Sequence, residues 1–264
     1  MNLASWRRIT QLSTIILLVL LPLLNKKGLT YVSGTLYSMA IGPVWITDPL
    51  IGLQTILLTL TTDQVLLLSM VIPIALALIF GRVFCSWACP QNTISELVDL
   101  AAGKIGIRRL FMIKPTPVPR YLFLLLILAA TPLAGLPLAS LLSAPGIISV
   151  QVAKLIYEGT VGVELGLIGV IVICELFLVR RLWCNHLCPV GSFLGLIRCR
   201  KTLKVVFCED AEHPCGQCLA CAKACQLGLN PLHEKIYPQC HNCGACLTAC
   251  HELKGSQKPL KFRF

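Results

Sequence analysis

Apolar residues in this chain gather into long runs separated by short basic segments, and the runs are long enough to be read as membrane spans. A helix rises about 1.5 Å per residue and the hydrocarbon layer of a bilayer is about 30 Å thick, so a crossing takes about 20 mostly apolar residues. Four stretches meet or approach that length: residues 9–24, 64–80, 120–138 and 161–179. Pro73 interrupts the second, a break that neighbouring helices can accommodate. Residues 51–60 are apolar but too short to cross, which predicts a re-entrant or interfacial helix, and residues 42–49 before them read as turns. The first run follows Trp6, Arg7 and Arg8 with no small-residue cleavage site behind it, so it is expected to be retained rather than removed as a signal peptide.

Composition strengthens the membrane reading: 56% of residues are hydrophobic, 13% are charged, and the mean hydropathy is +0.77. The positive charge then orients the spans. Arg82, Lys104, Arg108, Arg109, Lys114 and Arg120 lie between the second and third runs, and Arg180, Arg181, Arg198, Arg200, Lys201 and Lys204 follow the fourth. The opposite loops carry only Lys26 and Lys27, and Lys154. Both termini are therefore expected on the cytoplasmic side of a bacterial or archaeal inner membrane. The net charge of +11 is explained by this topology and by anionic lipid, and no motif points to nucleic acid. Within the loop 91–119, Ile94, Leu97, Val98 and Leu100 predict an amphipathic helix on the membrane surface, with Glu96 and Asp99 on its polar side. The basic end of the chain, from Lys254 on, is expected to be a flexible or partner-docking tail.

Cysteines bring the chemistry. Cys215, Cys218, Cys221 and Cys225 share one spacing with Cys240, Cys243, Cys246 and Cys250, which is the pattern of a two-cluster ferredoxin. Three cysteines of each run hold one [4Fe-4S] cluster and the fourth reaches to the other. The expected sets are Cys215, Cys218, Cys221 with Cys250, and Cys240, Cys243, Cys246 with Cys225. Gln226 and His251 stand where proline usually follows the fourth cysteine. Structural zinc and disulfides match the doubled spacing less well, and a reducing cytoplasm would keep fifteen cysteines from pairing. Residues 201–264 are thus expected to form an α+β ferredoxin domain behind a membrane domain of residues 1–200.

A second cysteine device closes two of the apolar runs. Arg82, Phe84, Cys85, Cys89 and Pro90 recur in order as Arg181, Trp183, Cys184, Cys188 and Pro189. The membrane part therefore reads as four transmembrane helices in two tandem pairs, with both motifs at one depth. Thiols four apart share a helix face, so two facing pairs could supply four sulfur ligands to a further metal or iron–sulfur site. A thiol–disulfide relay and plain buried thiols with helix-ending prolines remain open alternatives.

Four spans, two Cys-x-x-x-Cys-Pro motifs and a C-terminal ferredoxin segment together resemble the NapH-type membrane quinol dehydrogenase subunits of periplasmic nitrate reductase systems. The segment from Gly34 to Tyr37, through Ile46 to Pro49 and on to Gln54, is similar to the first outer loop of that family. The resemblance implies quinol oxidation, with electrons passed to other iron–sulfur or cytochrome subunits and finally to a reductase. A maturation factor that reduces a metal or thiol, and a redox sensor, are the alternative readings.

Proton-accepting groups for a quinol are sought among acidic residues in and beside the spans, where a carboxylate is costly and usually functional. Glu175 and Glu164 lie in the fourth run, with Glu175 also in reach of Arg180 or Arg181, while Asp48 and Asp63 flank the outer loop. Cys174 reads as a small buried apolar residue and Cys199 and Cys208 have no partner spacing, while His186 could ligate or hydrogen-bond between two thiols and His213, His233, His241 and His251 could tune the clusters through hydrogen bonds. Haem and dinucleotide motifs are missing, since Leu247 stands where a Cys-x-x-Cys-His would need histidine.

Overall fold

The computed structural model describes residues 3–28, 31–107, 109–111, 116–207, 218–232, 236–254 and 260–264, and of residues 252–254 the backbone only. Its first half begins with α1 (Leu3–Lys26). A three-stranded antiparallel sheet follows, made of β1 (Val32–Gly34), β2 (Ser38–Ile41) and β3 (Val44–Thr47), in the order β1-β2-β3 with Met39 opposite Ile46. Residues 42–49 read as turns in the sequence, yet only Gly42 and Pro43 turn. Strands of three or four residues are too short for a two-residue alternation to stand out.

Asp48 starts α2 (Pro49–Thr59): its carboxylate accepts the Leu50 N–H at 2.9 Å, and Pro49 takes the first helical position, where its missing N–H costs nothing. Asp63 caps α3 (Gln64–Phe80) in the same way, and Gly81 ends it at φ +68°. Leu50, at the start of α2, packs in one core with Ala77, near the far end of α3, and with Leu124, Val190 and Leu194. The start of α2 is therefore level with the cysteine end of α3, and α2 runs back to where α3 begins. The two helices therefore run antiparallel, α2 with 11 residues and α3 with 17.

α4 (Val83–Trp87) and α5 (Pro90–Ile105) carry the first motif and the loop helix, and α6 (Pro117–Ala134) opens the second half. α7 (Leu138–Leu141), α8 (Ala144–Glu158) and α9 (Leu165–Phe177) follow, then a π-helical turn at Trp183–Leu187 and α10 (Pro189–Leu196). The hairpin α8–α9 repeats α2–α3, each leading into a cysteine motif. α8 escaped the apolar pattern because it carries Gln151, Lys154 and Glu158.

Two helices, α1 and α6, are long and apolar enough to cross a membrane. α3 has 17 residues and α9 only 13, rises of about 25 and 20 Å. The predicted fourth run is shortened at its start, where Gly159 ends α8 at φ +69° and the chain turns before Leu165. Leucines and isoleucines such as Ile16, Leu68, Leu125 and Ile173 point outward on all four helices, a surface suited to lipid more than to water.

The C-terminal part pairs β4 (Lys204–Phe207) with β5 (Leu260–Arg263), antiparallel, Val205 opposite Phe262. Between them α11 (Ala220–Ala224) and α12 (Ala245–Lys254) pack over a core of Val205, Cys221, Leu227, Leu229, Ile236, Leu247 and Leu260. The segment expected as a tail thus ends in a strand, fixed by Leu260, which is 2% exposed.

Candidate functional site

The two motifs meet. Cys85 lies on α4, while Cys89 and Cys188 stand one step before α5 and α10, with Pro90 and Pro189 as the first helical residues. The prolines therefore start new helices instead of stopping old ones. Each second cysteine faces a helix N-terminus, whose partial positive charge favours a thiolate, and the Cys188 sulfur accepts the Gly191 N–H at 3.4 Å.

The four thiols act on one another electrostatically across the motifs: Cys89 with Cys85 and Cys188, and Cys184 with Cys188 and Cys89. Burial, then Cys85, pushes Cys188 up to about 11, against the Gly191 N–H, Arg82 and Arg120. Burial likewise raises Cys89 and Cys184. Sulfurs so placed become thiolates when a metal replaces the proton. Among the described residues no three His, Cys, Asp or Glu side chains converge on one metal ion.

Buried arginines surround these thiols. Arg120 is 1% exposed, its Nε donates to Ser192 Oγ at 3.2 Å, and neither Nη atom has a hydrogen-bond partner among the described residues. Arg82 Nη1 donates to the carbonyls of Gln239 at 2.7 Å and Pro238 at 3.3 Å. A Cβ on Gly191 would come within 2.8 Å of Arg82 Nη2, so glycine there makes room for the guanidinium. Arg181 donates to Asp99 at 3.0 Å and to Asn92 Oδ1 at 2.8 Å.

The loop helix α5 turns its polar side inward. Gln91, Asn92 and Ser95 are buried, whereas Leu97 and Leu100 are exposed. Glu96 accepts from Arg7, Gln11, Asn92 and Gln226, and Asp99 from Arg109, Arg180 and Arg181. Burial would raise Asp99, but Arg181 and Arg180, with hydrogen bonds from Arg181 and Arg109, hold its carboxyl below the usual range. These two acids join both halves and the C-terminal segment, a role that residue type alone did not reveal.

Below the motifs lie the remaining cysteines. Cys225, Cys240, Cys243 and Cys246 line one pocket of about 20 Å³ together with His241 and Gly244. Asn242 and Gly244 take left-handed backbone at φ +55° and +74°, which turns the chain around that pocket. Burial and the neighbouring thiols raise Cys240 to about 12 and Cys246 further. Cys221 is the electrostatic neighbour of Cys250 and Cys218, and Cys218 is exposed. Cys184 packs against the same core as Cys225 and Cys240. Cys215, Cys208, His213 and His233 lie outside the described residues.

Backbone docking fixes this arrangement. Ser86 Oγ donates to the His241 carbonyl at 2.7 Å, Trp87 Nε1 to Asn242 O at 3.3 Å, and Asn242 Nδ2 to the carbonyls of Phe80 and Leu203. His186 and His241 are buried, with no hydrogen-bond partner on either ring nitrogen among the described residues. Cys199 is exposed, with its N–H bonded to Thr202.

Of the two expected acids, Glu175 stands at the second motif as an electrostatic neighbour of Cys184, and Glu164 stands at the start of α9. Glu164 accepts from Gln151 at 2.9 Å and sits 4.0 Å from Lys154 at a half-exposed position. Glu175 is buried and accepts the Trp183 N–H at 3.3 Å, while Arg181 is engaged by Asp99. A cavity of about 450 Å³ opens on the other side of the motif, with Asp48 as the charged residue in its lining and neither glutamate. Burial pushes the Asp48 carboxyl up to about 6, against hydrogen bonds from the Leu50 and Ile51 N–H groups.

Comparison with known proteins bears on the motifs directly. A family model described as a 4Fe-4S binding domain matches residues 62–108 and again 161–205, which are the two motif-bearing segments. The chain is 27% identical to the ferredoxin-type protein NapH of Haemophilus influenzae, over 94% of this chain and 86% of that one. It is 31% identical to the methylamine utilization ferredoxin-type protein MauN of Methylorubrum extorquens, over 84% of this chain and 74% of that one. NapH of Escherichia coli is 27% identical over 81% and 75%. No solved structure matches.

Proposed function

The chain belongs to the ferredoxin-type family of NapH and MauN, and from that premise we propose that it is a multi-pass inner-membrane subunit that oxidises quinol and passes electrons to partner redox proteins of a respiratory chain. Residues 1–200 form its four-span membrane domain with both termini cytoplasmic, and residues 201–264 its ferredoxin domain. Cys215, Cys218, Cys221 and Cys250 hold one [4Fe-4S] cluster, and Cys240, Cys243, Cys246 and Cys225 the second. Cys85, Cys89, Cys184 and Cys188 hold a further one. When bound, these groups supply one-electron transfer at potentials tuned by burial and hydrogen bonds.

The observation that carries this reading is the continuity of sulfur. The motif thiols couple to one another, Cys184 reaches the core that holds Cys225 and Cys240, and the neighbours of Cys246 include Cys221, which leads to exposed Cys218. Arg82, Ser86 and Trp87 grip the backbone at 238–242 and so fix the distance between motif and ferredoxin. Asn185 and Arg180 do the same through the carbonyls of Leu227 and Cys225.

Iron and acid-labile sulfide counts on anaerobically purified protein test the assignment. Two cubanes give about eight irons and three give about twelve. The expected result is about twelve, falling to about eight in a variant with serine at Cys85, Cys89, Cys184 and Cys188. Zinc without sulfide overturns the reading.

A further inference from the structure

We propose that the cavity between β3, α3 and α4 is the binding site for the hydroquinone ring, with the Asp48 carboxylate accepting a hydrogen bond from a ring hydroxyl. This rests on the quinol reading of the previous section and adds its location and polar contact. The cavity holds about 450 Å³ and is lined mainly by apolar side chains, among them Pro73, Phe80, Phe84 and Trp87, a volume and lining of the kind that takes a small-molecule ring. Ile72, Leu76 and Phe80 both line the cavity and are exposed on the outer surface of α3, so the mouth opens where a lipid-soluble tail can remain in the bilayer.

Asp48 gives the apolar space its polarity. α2 begins beside the motif: Asp48 lines the cavity together with Val190, two residues after Cys188, and Leu50 belongs to the core against which Cys85 and Cys188 pack. Trp87 and Ala88, which lie between Cys85 and Cys89, also line the cavity. A ring bound there touches the motif segment on one side and an acceptor on the other. That pairing fits an apolar ring bearing hydroxyl donors and a lipid tail, and it fits a purely apolar lipid or a charged metabolite poorly. In the second half, Ser143 occupies the position before α8 that Asp48 occupies before α2, so the two repeats differ in the residue that would face a ligand.

Photo-crosslinking of the holoprotein in nanodiscs with an azido-substituted short-chain quinone, mapped by mass spectrometry, tests the site. Labels are expected on peptides spanning residues 35–49 and 72–88. Equilibrium binding of the same quinone without illumination gives the second readout. Asp48→Asn keeps a good helix cap but loses the charge, and is expected to weaken binding about tenfold, the difference between a charged and a neutral acceptor. Leu76→Trp, which blocks the mouth from a lipid-facing position, should weaken it at least as much. Both variants should keep the wild-type iron and sulfide content. Tight quinone binding with labels confined to α6 or α9, or with affinity unchanged in both variants, overturns the cavity assignment while leaving quinol oxidation standing. No quinone binding anywhere overturns both.

Discussion

Removing the Asp99 carboxylate should loosen the whole motif region, and the structure sets the size of the effect. Asp99 accepts from Arg109 at 2.5 Å, Arg181 at 3.0 Å and Arg180 at 3.3 Å. The three arginines differ in their dependence on it. Arg180 is 42% exposed, so water screens its share to less than about 1 kcal/mol. Arg181 is 1% exposed, and leaving a buried ion without its partner costs about 3–5 kcal/mol. Its retained bonds to Asn92 O and Oδ1, and the partial wetting of Asp99, reduce that to about 2–4 kcal/mol for Asp99→Ala. For a chain of this size that corresponds to roughly 5–15 °C in the midpoint of thermal loss of the iron–sulfur absorbance. Asp99→Ala with Arg181→Met removes the buried guanidinium together with its partner and should recover part of the loss.

The pH dependence has a definite sign. The folded pKa of Asp99 lies below its unfolded value, so its contribution is complete above about pH 4 and disappears as pH falls through the folded pKa. The Asp99→Ala penalty should accordingly be full at neutral pH and shrink in acid. A single variant within 1 °C of wild type, on the order of the reproducibility of such midpoints, or a double variant no better than the single, refutes the reasoning.

Three further outcomes follow from other contacts. Arg82→Met removes the donors to Pro238 and Gln239 and should cost about 2–3 kcal/mol, seen as faster proteolysis in the connector near residue 200 with the membrane part intact. Asn242→Gly keeps the left-handed backbone but loses the bonds to Phe80, Leu203 and Tyr237, whereas Asn242→Val also strains the turn, so iron retention should rank wild type above glycine above valine. Gly146→Ala drives a Cβ into the Tyr37 ring, whose hydroxyl donates to Ser140 O at 2.6 Å. It should shift the midpoint of thermal unfolding downward by several degrees, about 1–3 kcal/mol of overpacking.

Long-period signals were legible in the sequence and short or buried polar ones were not. α3 forms over the predicted residues because Asp63 and Gly81 punctuate a continuous apolar run. α2 forms over nearly the same residues as the apolar run that is too short to cross. The doubled cysteine motif was visible as a repeat, and the family model matches those same two segments. By contrast β1–β3 are too short for periodicity to mark, and α8 mixes polar residues into its buried side. The polar face of α5 was expected toward solvent because charge ordinarily seeks water. Here Arg7, Arg109 and Arg181 arrive from other elements and make the buried side the better partner. Asp48 was counted with the outer loop, since one-dimensional order cannot show that it lines a cavity together with Trp87 and Ala88 of the motif.

Quinol-driven reduction of the clusters, followed by electron paramagnetic resonance on anaerobic nanodisc preparations, tests the account most directly. A menaquinol analogue should reduce the wild-type clusters, and should fail to do so in the variant with serine at Cys85, Cys89, Cys184 and Cys188, whose ferredoxin clusters still respond to dithionite. Equal quinol reduction in that variant, or none in the wild type with partner proteins supplied, contradicts an electron path from the bilayer through the paired motifs.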